Sequence, residues 1–332
     1  MTTSRATLRT ASRAADQVDA DPAGVAGATA RRGSHLAAAV RGSVSMMFVG
    51  SVVALTGGVL RFAPVFAVQS LRYALAAIAL LVFVRVFRAR LVLPHGREWI
   101  WIVAGSATGL VAFNVALVVG TAHADPAVLG AAVACVPVVL AVLSPLLRRR
   151  APSLRIVAAA VVVALGAVAV EGGGHADGLG IAMAVVLMLC EAAFTLLGAR
   201  VIDRVGSWTY SLATTTIAAV ACGAISVGFE RAHWPELLSV PVLLGIVYAG
   251  AIATASAYVL WFTSVGRVGA AVTGLTGGFA PPTAALLGVL FGADLPSPIG
   301  WMGMAAIAVG LAWGFAAPRA ADDPLTGRRD YA

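Results

Sequence analysis

Long apolar runs without a polar stripe dominate the chain. Continuous apolar windows fall near residues 43–60, 65–86, 99–119, 126–146, 155–171, 178–199, 208–228, 240–264, 270–291 and 300–317. A run that is apolar on every side has no face to offer water, and a bilayer crossing needs roughly 20 mostly apolar residues. Helix is the geometry such runs must take, because hydrocarbon offers no partners to backbone amides and carbonyls. Some connections are very short, such as Ala122 to Asp125, so those neighbours are expected to form tight hairpins. The pattern predicts an all-α membrane protein with ten transmembrane helices.

The pattern also repeats. Shifting the chain by 144 residues sets Ala127 on Ala271, Gly130 on Gly274, Pro137 on Pro281, Pro152 on Pro296, Ser153 on Ser297 and Gly166 on Gly310. Paired prolines and glycines carry more weight than paired apolar residues because they fix backbone shape. The predicted domains are a disordered cytoplasmic N-terminal arm (1–42), a first five-helix repeat (43–173), a second (174–317) and a cytoplasmic tail (318–332). Five crossings is an odd number, so the second copy is expected to enter the membrane from the opposite side. Inverted repeats of this kind are a recurrent plan of secondary transporters, with the ligand site near mid-membrane.

Composition agrees with the bilayer reading. The chain is 60% hydrophobic and 11% charged, against about 25% charged in an ordinary soluble domain. The net charge of +8 does not point to nucleic acid, because the basic residues sit in short clusters between apolar runs. With both termini cytoplasmic, 20 arginines fall in inside segments and only Arg61 and Arg231 outside, as the positive-inside rule requires of a protein of the inner or plasma membrane. All 23 basic residues are arginine. The lack of lysine removes P-loop nucleotide hydrolysis, pyridoxal Schiff-base chemistry and kinase chemistry, each of which needs that side chain. Cys135, Cys190 and Cys222 are scattered through apolar runs, and the five histidines show no i, i+4 zinc pair. No cofactor, metal or enzymatic activity is expected; the expected partners are a small-molecule substrate and the lipid bilayer.

A few polar residues interrupt the apolar runs, and they carry the candidate chemistry. Glu191 is the acid set well inside a span, where a central charge costs about 2.5–3.5 kcal/mol on insertion scales. It reads either as a proton carrier or cation ligand, with Thr195 one turn on, or as a protonated acid bonded to a neighbouring helix. Arg72 lies about 10 Å inside its span at 1.5 Å per residue. It reads as a snorkelling side chain or as a counter-charge for a carboxylate, whether from a substrate or from Glu191. Asn114 and Tyr258 are equivalent under the repeat and, with Trp261, are candidates for a central cavity. Pro137 and Pro281 are expected to weaken or kink a helix in each half, which can free backbone groups for a ligand.

Three stretches carry a resemblance. QSLRYALA (69–76), CEAAFTLLGAR (190–200) and YAGAIATASAYVLW (248–261) with RVGAA (267–271) are similar to the second, sixth and eighth spans of the EamA family of the drug/metabolite transporter superfamily. The resemblance covers roughly residues 43–317. It departs after the fourth span, where Arg148 to Arg150 stand in place of the family's frequent acidic residue; Asp294 fills the matching place after the ninth. The resemblance implies a transporter of small metabolites, commonly an exporter of amino acids, related compounds or drugs. The competing expectation is a non-transporting membrane scaffold or partner subunit, whose centre would be filled by Leu, Val and Phe with no polar cavity.

Overall fold

Every regular element in the computed structural model, which describes residues 22–56 and 63–315, is helical. Arg61, the first 21 residues and the tail beyond residue 315 lie outside the described residues. Helix α1, Pro22–Thr56, opens the chain and contains an apolar window at Leu36–Leu55, earlier than the predicted 43. Alanine is the strongest helix former, so the Ala-rich stretch before residue 43 continues the helix, and Arg41 does not interrupt it.

There follow α2 (Val65–Val86), α3 (Glu98–Ser106) with α4 (Phe113–Thr121), α5 (Pro126–Ala134) with α6 (Val136–Leu147), α7 (Leu154–Glu171) and α8 (Gly178–Gly198). Next come α9 (Ile202–Phe229), α10 (Val240–Val247) with α11 (Ala255–Val268), α12 (Ala270–Leu275) with α13 (Ala280–Leu290), and α14 (Pro298–Phe315). Within α9, Gly206 at φ 79° and ψ 160° sets off the first turn from the rest, a conformation open to glycine for want of a Cβ.

Nine helical stretches among the described residues are long and apolar enough to cross a membrane. The ninth predicted window, 270–291, differs: it is α12, a 3-10 turn (Thr276–Phe279) and α13 in succession, none of spanning length. The glycines of GLTGGF and the prolines Pro281 and Pro282 account for the break, since glycine weakens a helix and proline is tolerated in a first turn. The first half breaks at the equivalent place. Cys135, which the 144-residue shift sets on Phe279, separates α5 from α6, and Pro137 and Pro281 each stand second in the helix that follows. A π-helical stretch interrupts the third predicted span at Ala107–Ala112 and the eighth at Tyr248–Thr254.

The helices α7 and α14 pack along each other. A Cβ on Gly166 would stand 2.6 Å from the Gly303 carbonyl oxygen, and one on Gly303 would stand 2.5 Å from that of Gly166. A Cβ on Gly310 would in turn meet the Ala159 carbonyl at 3.1 Å. The 144-residue shift turns the pair 166 and 303 into the pair 310 and 159, so these contacts are reciprocal, and their order runs α7 antiparallel to α14. The contact is close because small residues let the backbones approach, the usual means of helix association in lipid.

Both ends of α9 are fastened to neighbours. At its start, Arg204 pairs with Glu98 and the Arg200 guanidinium lies 4.8 Å over the Trp101 ring. At its end, the Glu230 carboxylate accepts from the Phe66 amide at 2.9 Å and the Ala67 amide at 2.8 Å. These are first-turn amides of α2, which have no partner within their own helix and favour an anion. Glu230→Ala is expected to cost about 1 kcal/mol, the usual worth of a cap, while Glu230→Gln keeps an acceptor and costs less. Thermal melting in detergent tests this, and equal melting for all three proteins would show that the contact adds nothing.

Candidate functional site

Between the helices lies a cavity of about 500 Å³. Its wall draws on α1, α2, α4, α5, α6, α8, α11 and α13, together with Glu171 at the end of α7. Most of the wall is aliphatic or aromatic, with Phe113, Leu187, Phe194 and Trp261 among it, and its charged members are Arg72, Glu171 and Glu191. The filled apolar centre expected of a scaffold is not what the chain builds.

Of the residues singled out in the sequence, Arg72, Asn114, Glu191, Tyr258, Trp261, Pro137 and Pro281 all line this cavity. Thr195 stands just behind it, fully buried, where its hydroxyl accepts from the Trp261 indole Nε1 at 3.2 Å. Phe194 packs on Tyr258 with ring centroids 5.4 Å apart, so α8 and α11 present an aromatic wall beside Glu191.

Arg72 is held by neutral groups. Its Nε donates to the Thr254 hydroxyl at 2.8 Å and its Nη1 to Gln69 Oε1 at 3.3 Å, with the Tyr73 ring centroid 5.7 Å away. Thr254 closes the π-helical stretch of the eighth predicted span, and Asn114 follows closely after that of the third. Asn114, 1% exposed, accepts from Gln69 Nε2 at 2.7 Å and donates through Nδ2 to the Tyr73 hydroxyl at 3.1 Å and to the Leu110 carbonyl. Glu191 is half-buried and, among the described residues, forms no ion pair with Arg72. The two opposite charges therefore share one chamber without touching.

Four lining residues that shape the polar and aromatic parts of the wall were not among the sequence-based candidates. Gln69 and Tyr73 fall within the QSLRYALA stretch, yet no periodicity in α2 says that Asn114 of another helix meets them. Phe194 sits in an apolar run like any core aromatic. Glu171 ends a span, where an acid is ordinary; it is brought against the cavity because Gly130, having no side chain, lets the carboxylate approach to 2.6 Å of where a Cβ would be.

A clasp of two paired segments lies beside the chamber. Thr121 and Pro126 line the cavity and flank the turn that carries His123 and Asp125. That turn pairs with the segment joining α7 to α8 through an isolated bridge between Ala124 and Ala176. Asp125 N donates to the His175 carbonyl at 2.9 Å and Asp177 N to the His123 carbonyl at 3.1 Å. His123 Nδ1 also lies 2.8 Å from Asp177 Oδ2. The Gly180 amide, and after it His123, hold the Asp177 carboxyl below the usual carboxylate range. A depressed carboxyl contributes above its unfolded value and loses that contribution as pH falls through its lowered one, so the contribution of Asp177 is fully present at neutral pH. No cluster of three or more His, Cys, Asp or Glu able to hold a metal occurs among the described residues.

The model of the EamA-like transporter family matches the sequence twice, over residues 37–171 and 178–315. The chain belongs to the EamA-like transporter family. Only the hexapeptide 172–177, the clasp's own segment, separates the two matches, so the EamA architecture here is two repeats joined by a stitched link. Family membership makes the chain a multi-pass membrane transporter of small molecules rather than an enzyme. No curated protein matches the sequence significantly. Among solved structures, one described as a crystal structure of a protein is similar at a TM-score of 0.73 and 20% identity, covering 83% of this chain and 96% of that one. At that identity the likeness speaks to the fold alone. Both EamA repeats contribute to the cavity wall, the first through Arg72, Asn114 and Glu171, the second through Glu191, Tyr258 and Trp261.

Proposed function

We propose that the chain is a secondary transporter that exports a small metabolite, such as an amino acid, a related compound or a drug, by alternating access and coupled to protons through Glu191. The observation that carries the reading is the cavity of about 500 Å³ walled by both repeats, with an arginine and a glutamate facing it unpaired. In this reading the chain crosses the inner or plasma membrane ten times with both termini cytoplasmic, the pieces α12 to α13 together making the ninth crossing. Their 21 residues, at 1.5 Å each, extend about 30 Å, the thickness of the hydrocarbon core. The repeats are inverted. The reciprocal, antiparallel contact of Gly166 with Gly303 and Gly310 with Ala159 supports that relation, as do the matched breaks before Pro137 and Pro281.

Alternating access then means that the halves rock about the α7 and α14 pair and expose the chamber to one side at a time. Arg72, Asn114, Tyr258, Trp261 and Glu191 serve the ligand, with Thr195 holding the Trp261 indole. Purified protein in vesicles is expected to move substrate down a pH or substrate gradient with no nucleotide present. A screen of accumulated metabolites at several pH values checks this, and a strict requirement for ATP would rule secondary transport out.

A further inference from the structure

The charged groups facing the chamber are not alike. Glu171 and Glu191 are carboxyls that can be discharged by taking up a proton, whereas a guanidinium stays charged in any protein environment. Arg72 is thus the fixed charge of the chamber wall. Of its five N–H groups, one is given to Thr254 and one to Gln69, both neutral acceptors. The remaining three, including both on Nη2, have no acceptor among the described residues, and no carboxylate pairs with the side chain there.

The network behind Arg72 is fully committed. Asn114 spends both Nδ2 hydrogens, on Tyr73 and Leu110, and gives its Oδ1 to Gln69 Nε2. That bond fixes the Gln69 amide, so its Oε1, and not its NH2, faces the guanidinium. The opposite amide orientation would set donor against donor at the guanidinium and acceptor against acceptor at Asn114 Oδ1. Asn114 therefore has no donor left for a ligand, and serves it through Gln69. A fixed cation with spare donors, aimed by a neutral relay into a largely apolar chamber, matches a carboxylate in charge and in planar geometry.

We infer that the transported ligand is an amphipathic organic carboxylate whose anionic group is received by Arg72, with Gln69 and Asn114 as positioning residues that orient the guanidinium. The inference rests on the reading of this cavity as the transported ligand's site. The apolar body of the ligand lies along Phe194 and Trp261, and Glu191 remains free for a proton.

Three probes of nearly equal shape separate the charge classes: 3-phenylpropanoate, 3-phenylpropanamide and 3-phenylpropylamine. Their affinities for the purified full-length protein are measured by calorimetry in detergent. The carboxylate is expected to bind at least about tenfold more tightly than the amide or the amine, and Arg72→Gln to weaken it about thirtyfold, the lower end for removing one partner of a buried charge pair. Gln69→Glu is the decisive second variant. It keeps the shape, replaces the donor to Asn114 Oδ1 by an acceptor and gives Arg72 an internal carboxylate, so it should erase the preference for the anion, with the melting midpoint measured alongside to show that the fold is kept. Asn114→Ala should narrow the ratio of carboxylate to amide affinity, a ratio that simple loosening of the fold would not change.

Tightest binding of the amine, absence of binding by all three probes, or a Gln69→Glu protein that still prefers the anion would each overturn the inference. Flux without anion preference would sink the inference and leave the transporter reading standing. Arg72-dependent binding of the carboxylate, without flux in vesicles, would do the reverse.

Discussion

Vesicles carrying Glu191→Gln are expected to lose about tenfold or more of their pH-driven net transport, the scale on which coupled binding sites affect one another. Glu191 faces the cavity from α8, half-buried, without an ion pair among the described residues. A lone carboxylate at that depth is costly to insert, so the group is most readily carried through the membrane in its neutral form. Glutamine copies the shape of that neutral form and removes the proton. Exchange of labelled for unlabelled substrate across the membrane needs no net proton movement, so it should persist in the variant while its pH dependence flattens. The thermal midpoint should hold or rise, because the carboxylate form, costly at that depth, can no longer arise. Undiminished net transport with the original pH profile would show that Glu191 is a structural acid and that protons are coupled elsewhere, if at all.

The second large effect belongs to the contact between α7 and α14. Gly166→Ala would place a methyl 2.6 Å from the Gly303 carbonyl oxygen, and Gly303→Ala would place one 2.5 Å from that of Gly166. Both obstacles are backbone, which cannot swing aside as a side chain can. Each variant is expected to lose about 1–3 kcal/mol, the range for overpacking a tight interior. Gly310→Ala meets the Val163 side chain at 2.8 Å and the Ala159 carbonyl at 3.1 Å, so its loss should be the smallest of the three. Melting of the three proteins in one detergent ranks them. If Gly310→Ala proved the most damaging, or none moved the midpoint, the packing account of this helix pair would be wrong. Because the halves are proposed to rock about this pair, the first two variants should also slow transport beyond what their lower stability explains.

The sequence carried most of the helices because their signal is local. Each long apolar window became a helical stretch, and the glycines and prolines near 135 and 279 marked where two of those stretches break. The signal failed where local sequence does not decide. Alanines before residue 43 are weakly apolar but strongly helical, so hydropathy placed the first helix late. The residues of the chamber were legible as types: a glutamate, an arginine and an asparagine inside apolar runs are costly enough to need a reason. Their grouping was not. That Arg72 and Glu191 would share a cavity without pairing depends on how α2 and α8 are turned about their axes, and no single helix records that. Gln69 and Tyr73 became part of the site only through Asn114, 45 and 41 residues away in the chain. Glu171 entered it only because residue 130 is a glycine.

The π-helical stretches change how the third and eighth predicted spans must be drawn. Each extra residue in a π turn sets back the azimuth of everything after it by about 100° relative to an unbroken α-helix. A single helical wheel laid over 98–121 or 240–268 thus misplaces Asn114 and Tyr258 relative to the residues before the π turn. Each of these spans therefore needs two wheels with separate origins, one for the helix before the π turn and one for the helix after it.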